Sequence, residues 1–426
     1  MSRSLRITLA LLGLSLFGLA VSGQVIYARL SYLWIFLIVS SFLHSRLALS
    51  GIELTRRARA RRSQVGQIFE EVFEVHNRSR LPHLWLEVQD QSNLPGARGS
   101  RVLTMITGRR TRSYVSRTRL AARGVYTLGP TQLFSGDLFG FFPVNRQLLS
   151  AETLTVLPRV LELQSLPNPL GLLPGGEALR RRTHQITPNA ATVREYAHGD
   201  SLSRIHWPST ARRDRLLVKE FELDPLSEVW IFLDAERKSQ ARLEYTLETD
   251  AGSVIFQRSE ARMAPSTEEY AAAVAASMAQ HYLRTGRAVG LVNAGQVLDV
   301  LPAERGARQL GKIMETLALL RAVGDVPFTG LVIGHARYLP RGSTLILISP
   351  STDKHMVMLV DQLRRLGLRP IVVLLNALSF GGDPGSQALA GTLDAMGVPN
   401  ALIAEGQPMV SALRKLVLTP RALEMI

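Results

Sequence analysis

Two apolar runs at the N-terminus constrain this chain more than any other feature. Leu5 to Val21 is apolar apart from Arg6, Thr8, Ser15 and its glycines, and Leu30 to Leu49 contains Trp34-Ile35-Phe36-Leu37-Ile38-Val39. A helix of about 20 mostly apolar residues crosses a bilayer, and each run is close to that length. Ser22-Gly23-Gln24 breaks them apart. Arg3 and Arg6 mark the start of the first run. Arg46, Arg56, Arg57, Arg59, Arg61 and Arg62 mark the far side of the second, and only Arg29 lies between. The positive-inside rule then predicts a two-pass hairpin over residues 1–50, with both ends on the cytoplasmic side of the inner (cytoplasmic) membrane. A cleaved signal peptide is the rival reading, but no small-residue cleavage site stands out and a second apolar run follows at once.

Residues 51–65 read as a basic juxtamembrane linker around Arg56–Arg62 (RRARARR). Arginines beside an anionic leaflet are worth about 1 kcal/mol each, so anionic lipid is an expected contact; a topology signal with incidental lipid contact is the plainer reading. From 66 to 160 the texture is β. Phe69, Phe73 and Val75 alternate, with Glu71 as the exception, then Leu84, Leu86 and Val88, with turn residues between short runs. That pattern predicts a small sandwich. It includes Arg123–Phe142 (RGVYTLGPTQLFSGDLFGFF), where Phe139, Phe141 and Phe142 are expected to supply buried apolar area. A connector over 161–191 is rich in proline and glycine at Leu166–Gly176.

The stretch Thr192–Glu222 then concentrates Arg194, Glu195, Tyr196, Gly199, Asp200, Arg204, Trp207, Ala211 and Arg212 with no helical or strand period in its first half. Asp200 is placed to cap a short turn Ser201–Ile205, which Pro208 ends or bends. A strand pattern begins at Leu216. Such a cluster is either a buried ionic lock between domains or a docking surface.

Beyond Glu228 strands alternate with helical stretches. Val229–Leu233 ends at Asp234. A helix over Ser266–Arg284 opens on a capping box of Ser266 and Glu269. The strands Ala288–Asn293, Leu345–Ser349 and Pro370–Leu375 alternate with the helices Ala307–Leu320, Lys354–Leu366 and Gln387–Met396. This predicts a mostly parallel sheet with helices on both faces, and ligands of such sheets bind at the carboxyl ends of strands, here beside Asp234.

Absence of cysteine rules out disulfides, thiol catalysis and cysteine-ligated zinc, while a net charge of +15 suggests an anionic partner. A Ser–His–Asp set can be drawn from Ser209, His206 and Asp200, but triads are defined by geometry and not by proximity in sequence. No nucleophile elbow or zincin pattern accompanies it, and a non-enzymatic chain is expected. Arginines crowd the β region without a nucleic-acid reader motif, so nucleic acid is not an expected partner.

Three segments resemble one family. Arg123, Gly124, Tyr126, Gly129, Pro130, Asp137, Phe139 and Gly140 match an RG-x-Y-x-(L/V)-GP … D-x-FG signature. Leu154–Val160 is similar to the strand that follows it. REYAHGDSLSRIHWPSTARRDRLLVKEFE is similar to R-E-Y-x-x-G-D … R-I-x-W … (S/T)-A-R … L-x-V-(K/R)-E, with Pro208 where lysine is usual. By these motifs the chain resembles the DUF58 family. The resemblance implies two N-terminal transmembrane helices, a β-sandwich-like domain, and an α/β domain of the von Willebrand factor A (vWA) type over 192–426. It further implies a scaffold or adaptor role with a MoxR-type AAA+ ATPase, often beside transglutaminase-like membrane proteins. In vWA domains a D-x-S-x-S run supports a metal-dependent adhesion site. Here it reads Asp234-Ala235-Glu236-Arg237-Lys238, with both hydroxyls replaced, so a vestigial site without a bound cofactor is expected. The alternatives are a basic nucleic-acid- or anionic-lipid-binding membrane protein and a metal-dependent vWA adhesion module.

Overall fold

The computed structural model describes residues 2–148, 152–164, 166–167, 190–197, 205–221, 228–244 and 263–417. The chain divides into two compact units. One takes the described residues up to Arg159 with Met263 and Ala264, and the other takes the rest.

The first unit opens with α1 (Arg3–Ser22) and α2 (Val25–Leu47), each long and apolar enough to cross a bilayer. Gly23, in the left-handed region at φ 61°, ends α1, and its N–H donates to the Leu19 carbonyl. The helix pair is inverted relative to a soluble hairpin. Ser15 and Ser31 are buried between the helices with their hydroxyls 3.0 Å apart, while Phe17 and Phe36 are 68% and 72% exposed. Small and hydroxyl residues inside, with large apolar residues outside, is how helices pack when the surroundings are lipid.

Ten strands follow: β1 (Ile52–Ala58), β2 (Arg62–Gln64), β3 (Ile68–Asn77), β4 (His83–Asp90), β5 (Arg101–Ile106), β6 (Thr111–Arg119), β7 (Gly124–Leu128), β8 (Thr131–Ser135), β9 (Val144–Leu148) and β10 (Glu152–Leu157). Antiparallel sheets in the orders β1-β3-β6 and β5-β4-β8-β9 enclose a core containing Phe73, Val75, Leu86, Val88, Tyr114 and Leu133. A third sheet, β2-β10-β7, contains a parallel pair between β2 and β10. Period-2 burial along β3 shows why these residues adopt strands: Phe69, Glu71, Phe73, Val75 and Asn77 all point inward.

Here the expected linker needs correction. Residues 52–58 and 62–64 are strands, and β1 pairs with β3 along its whole length. Alternation turns Arg56 inward onto Glu71 and Asp90 and leaves Arg57 and Arg59 outside, paired with Glu74 and Glu70. Arg56 is therefore a core residue and does not face lipid.

The second unit contains β11 (Ala190–Glu195), α3 (Trp207–Arg213), β12 (Leu217–Phe221), β13 (Val229–Leu233), α4 (Thr267–Arg284), β14 (Val289–Ala294), β15 (Leu298–Glu304), α5 (Ala307–Leu319), α6 (Phe328–Ala336), β16 (Thr344–Ser349), α7 (His355–Arg365), β17 (Arg369–Leu375), α8 (Ser386–Ala395), β18 (Asn400–Ile403) and α9 (Met409–Arg414). Its main sheet runs β15-β14-β13-β16-β17-β18, parallel except for the edge strand β15. On one face, Trp230 and Phe232 join a core with residues of α6, α7 and α8. The alanine-rich α4 packs on β13, β14, β16 and β17, its Ala271–Ala276 run buried throughout. Ser266 is the N-cap of α4, but its side chain makes no cap bond, so the expected capping box is not formed on that side. The Thr267 hydroxyl instead ties the start of α4 to the preceding loop, accepting from the Ala241 N–H at 3.0 Å. The first residues of the expected connector are not a free linker: Leu161 N–H donates to Ser277 Oγ at 2.9 Å, and Tyr282 donates to the Pro167 carbonyl at 3.0 Å.

Candidate functional site

Counted within the second unit, the sheet order is 3-2-1-4-5-6. The chain leaves β13 towards one side of the sheet and returns on the other at β16, so the loops after these two strands diverge and open a crevice. Asp234 follows β13 and Ser349 ends β16. A cleft of about 300 Å³ lies there, lined by Glu236, Lys238, Ser239 and Gln240 from the first loop and by Ser351, Thr352 and Asp353 from the second, with Gly382 and Asp383 from a third.

Asp234 is buried behind these loops, 2% exposed. Its Oδ1 accepts the Glu236 N–H at 3.0 Å, and Oδ2 accepts the Ser349 hydroxyl at 2.6 Å. The Ser239 hydroxyl lies 3.1 Å from Oδ2 and 3.0 Å from the Glu236 carbonyl, so its single proton is shared between them. Ser349 Oγ in turn accepts the Ser351 N–H at 2.9 Å. Burial pushes the Asp234 carboxyl up to about 6, against the opposing pull of the hydrogen bonds from Ser349, Glu236 and Ser239. At the rim, the His355 N–H and ring hold Asp353 below its ordinary value.

The hydroxyls missing from the D-x-S-x-S positions are thus supplied from elsewhere, by Ser239 one residue further on and by Ser349 across the sheet. Both hydroxyls donate to the Asp234 carboxylate. A divalent ion needs oxygen lone pairs directed at it, and Lys238 Nζ has none while protonated. These residues do not fit a metal-dependent adhesion site, and among the described residues no group of three His, Cys, Asp or Glu side chains is placed to hold a metal.

The charge-rich stretch forms a separate ribbon. β11 and β12 pair antiparallel, with Arg194 opposite Val218 and Glu195 opposite Leu217, as a two-stranded sheet apart from the main one. Ile205, Leu217 and Val218 are buried, and Glu195 pairs with Arg215. Gly199, Asp200 and Arg204 lie outside the described residues, as does the expected turn Ser201–Ile205 apart from Ile205 itself. Pro208 follows Trp207, the first residue of α3. It sits in the first turn of α3, where a missing N–H costs nothing. No residue of α3 is buried; Trp207 is 64% exposed, and Ala211, Arg212 and Arg213 are also exposed. His206 Nδ1 lies 2.6 Å from Ser209 Oγ, a contact across the first turn of α3 whose amides also use the His206 carbonyl.

The motif of the β unit divides between core and surface. Arg123 is 1% exposed, and Tyr126 donates to the Ala122 carbonyl at 3.1 Å. Gly129 (φ 95°) precedes Pro130 through a cis peptide bond, and Gly124 is also left-handed at φ 149°. Asp137 is buried and accepts three amides, those of Phe139, Phe141 and Phe142, at 3.0, 3.1 and 2.7 Å. Gly140 takes φ 67° in this turn. Phe139, expected to be packed, is 53% exposed.

Residues 192–331 match the family model described as "Protein of unknown function DUF58". An uncharacterized protein, YeaD of Bacillus subtilis (strain 168), is 24% identical over 130 residues, which are 30% of this chain and 26% of that protein; the match thus spans about a quarter of the relative's length. Among solved structures, the CARDB domain of the PF1109 protein from Pyrococcus furiosus is similar at 9% identity over 25% of this chain and 87% of that one, with a TM-score of 0.18. The alkylpurine DNA glycosylase AlkC of Pseudomonas fluorescens is similar at 10% identity over 34% of this chain and 42% of that one, with a TM-score of 0.19.

Proposed function

Taking residues 192–331 as a DUF58 segment, we propose that this chain is a membrane-anchored, non-enzymatic adaptor whose exposed α3 surface docks a MoxR-type AAA+ ATPase. The exposure of α3 is the observation that carries this reading. A buried ionic lock would hide Trp207 and its arginines, whereas Trp and Arg left in water are the residue types that dominate protein interfaces once covered. Anchoring is supported by the inside-out packing of α1 and α2, and arginine placement favours soluble units on the cytoplasmic side of the inner membrane. The exposed Arg57, Arg59, Arg61 and Arg62 would meet anionic headgroups beside α2. A vWA-like second unit is supported by the 3-2-1-4-5-6 order with its antiparallel third strand. A transglutaminase-like membrane protein is a further candidate partner by family resemblance alone.

The test is retention of the ATPase by detergent-solubilised full-length protein, with and without an ATP analogue. Trp207→Ala combined with Arg212→Glu should abolish retention while leaving the melting temperature unchanged. Retention by neither form, or unimpaired retention by the variant, would overturn the reading.

A further inference from the structure

The loop Asp137–Phe142 of the β unit is fastened to the ends of both apolar helices. Ser2, the N-cap of α1, donates through Oγ to the Phe141 carbonyl at 2.9 Å, and Ser4 Oγ donates to the Gly140 carbonyl at 3.1 Å. From the last turns of α2, Ser45 Oγ donates to the Phe142 carbonyl at 2.8 Å, and the Phe42 ring meets Phe142 edge-on with centroids 5.5 Å apart. The three amides bound by Asp137 fix the loop's shape from the other side.

This places the loop at one defined height. α1 has 20 residues and α2 has 23, so at about 1.5 Å per residue each spans a hydrocarbon core with little to spare. The first turn of α1 and the last turns of α2 then coincide with the boundary between acyl chains and headgroups. At that height the loop presents Leu138, 68% exposed, beside Phe139, and α2 presents Leu43 and Leu47, 59% and 49% exposed. The Arg46 guanidinium lies 5.1 Å from the centre of the Phe42 ring, a cation held where phosphates lie. Between Leu138 and Phe142 there is no charged side chain. A rigid, uncharged loop that keeps a leucine and a phenylalanine outward next to two membrane helices is built for an apolar neighbour at that level.

We propose that Leu138 and Phe139 insert into the acyl–headgroup boundary of the bilayer that α1 and α2 cross, so that the β unit holds the membrane through a third element. The proposal rests on the anchoring reading above, and its occupant is the bilayer itself. Insertion would give the β unit a third point of attachment at the membrane beside the two helix ends.

Because the chain contains no cysteine, single substitutions give unambiguous labels. Full-length Leu138→Cys, Phe139→Cys and, midway along α2, Phe36→Cys are nitroxide-labelled in vesicles of phosphatidylcholine and phosphatidylglycerol. Collisions with oxygen, which concentrates in lipid, are compared with collisions with a water-soluble nickel complex. The expected result is oxygen-dominated relaxation at all three positions, deepest at 36 and shallow at 138 and 139. Nickel-dominated relaxation at 138 and 139 with oxygen-dominated relaxation at 36 would overturn the loop insertion and leave the helical anchor standing. Nickel-dominated relaxation at 36 as well would remove both.

Discussion

Arg56 and Glu71 meet across β1 and β3 with 2.6 Å between Nη2 and Oε1, and their side chains are 7% and 1% exposed. Asp90 completes the group at 2.9 Å from Arg56 Nη1. One guanidinium thus serves two buried carboxylates inside the sandwich. Burial raises the Glu71 carboxyl above its ordinary value even with Arg56 beside it.

Removing the cation strands both carboxylates. Arg56→Met should destabilise the β unit by about 3–5 kcal/mol, the cost of leaving buried charge without its partner. Arg59→Met breaks an exposed pair with Glu70 and should change little. Thermal melting of the detergent-solubilised protein separates the two; equal melting temperatures for both variants would sink the claim that Arg56 is structural.

Asp137 provides a second contrast between a polar residue inside and an apolar one outside. Asp137→Ala withdraws the acceptor from three amides at once. Hydrogen exchange at Phe139, Phe141 and Phe142 should accelerate at least about tenfold, equivalent to about 1.4 kcal/mol of lost protection. Asp137→Asn, which keeps an acceptor oxygen, should fall between. Unchanged exchange at these amides in the alanine variant would show that the loop is held by its contacts with Ser2, Ser4 and Ser45 alone.

Legibility in the sequence followed the strength of the periodic signal. Both apolar helices and α4, α5, α7 and α8 lie within a few residues of where composition put them, because long runs fix a helix whatever surrounds it. β1 was hidden. Five arginines in seven positions read as a charged linker, and only pairing with β3 reveals that Arg56 alternates inward. Glu71 was visible as an exception in an apolar face, and that exception was the signal for a buried partner. At the cleft, Asp234 was legible from its place after a buried strand. Ser349 was legible as the end of a later strand, but its bond to Asp234 was not, because the two lie 115 positions apart. The short β18 and α6 carried too little period to stand out, and the exposure of Phe139 reversed an expectation drawn from aromatic character alone.

Gly324 shows how the first loop of the cleft is held. Its N–H donates to the Ala235 carbonyl at 3.0 Å and its carbonyl accepts the Arg237 N–H at 2.9 Å. A Cβ at this position would stand 2.0 Å from the Ala294 carbonyl oxygen and 3.1 Å from that of Ala235, both backbone atoms that cannot swing aside. Gly324→Ala should cost about 1–3 kcal/mol through overpacking and loosen residues 235–240. Gly311, within α5, has open space around it, and there the same change should stabilise by about 0.5–1 kcal/mol. Opposite signs in chemical denaturation are the expected result; a loss at both positions would refute the argument.

Asp234 sets a pH dependence whose sign follows from its burial. Its carboxyl titrates at about 6 in the folded protein against 3.8 as the reference, so the folded state holds the proton more tightly than the unfolded chain. The favourable term is complete below the reference value and is lost as pH rises through about 6, with ionised Asp234 the less stable form at neutral pH. The difference of roughly two units corresponds to about 3 kcal/mol. Asp234→Asn keeps an acceptor for the Glu236 N–H and places an amide against the hydroxyls of Ser349 and Ser239, which can accept from it. The variant should therefore lose the decline in stability between pH 4 and 6 and equal or exceed the wild type at pH 7.5. Denaturant midpoints for both proteins across that range are the measurement. If the two curves ran parallel, the carboxylate would be ionised throughout and the hydroxyl pair would stabilise the anion, making Asp234 a buried charge at the switch point and not a neutral acid.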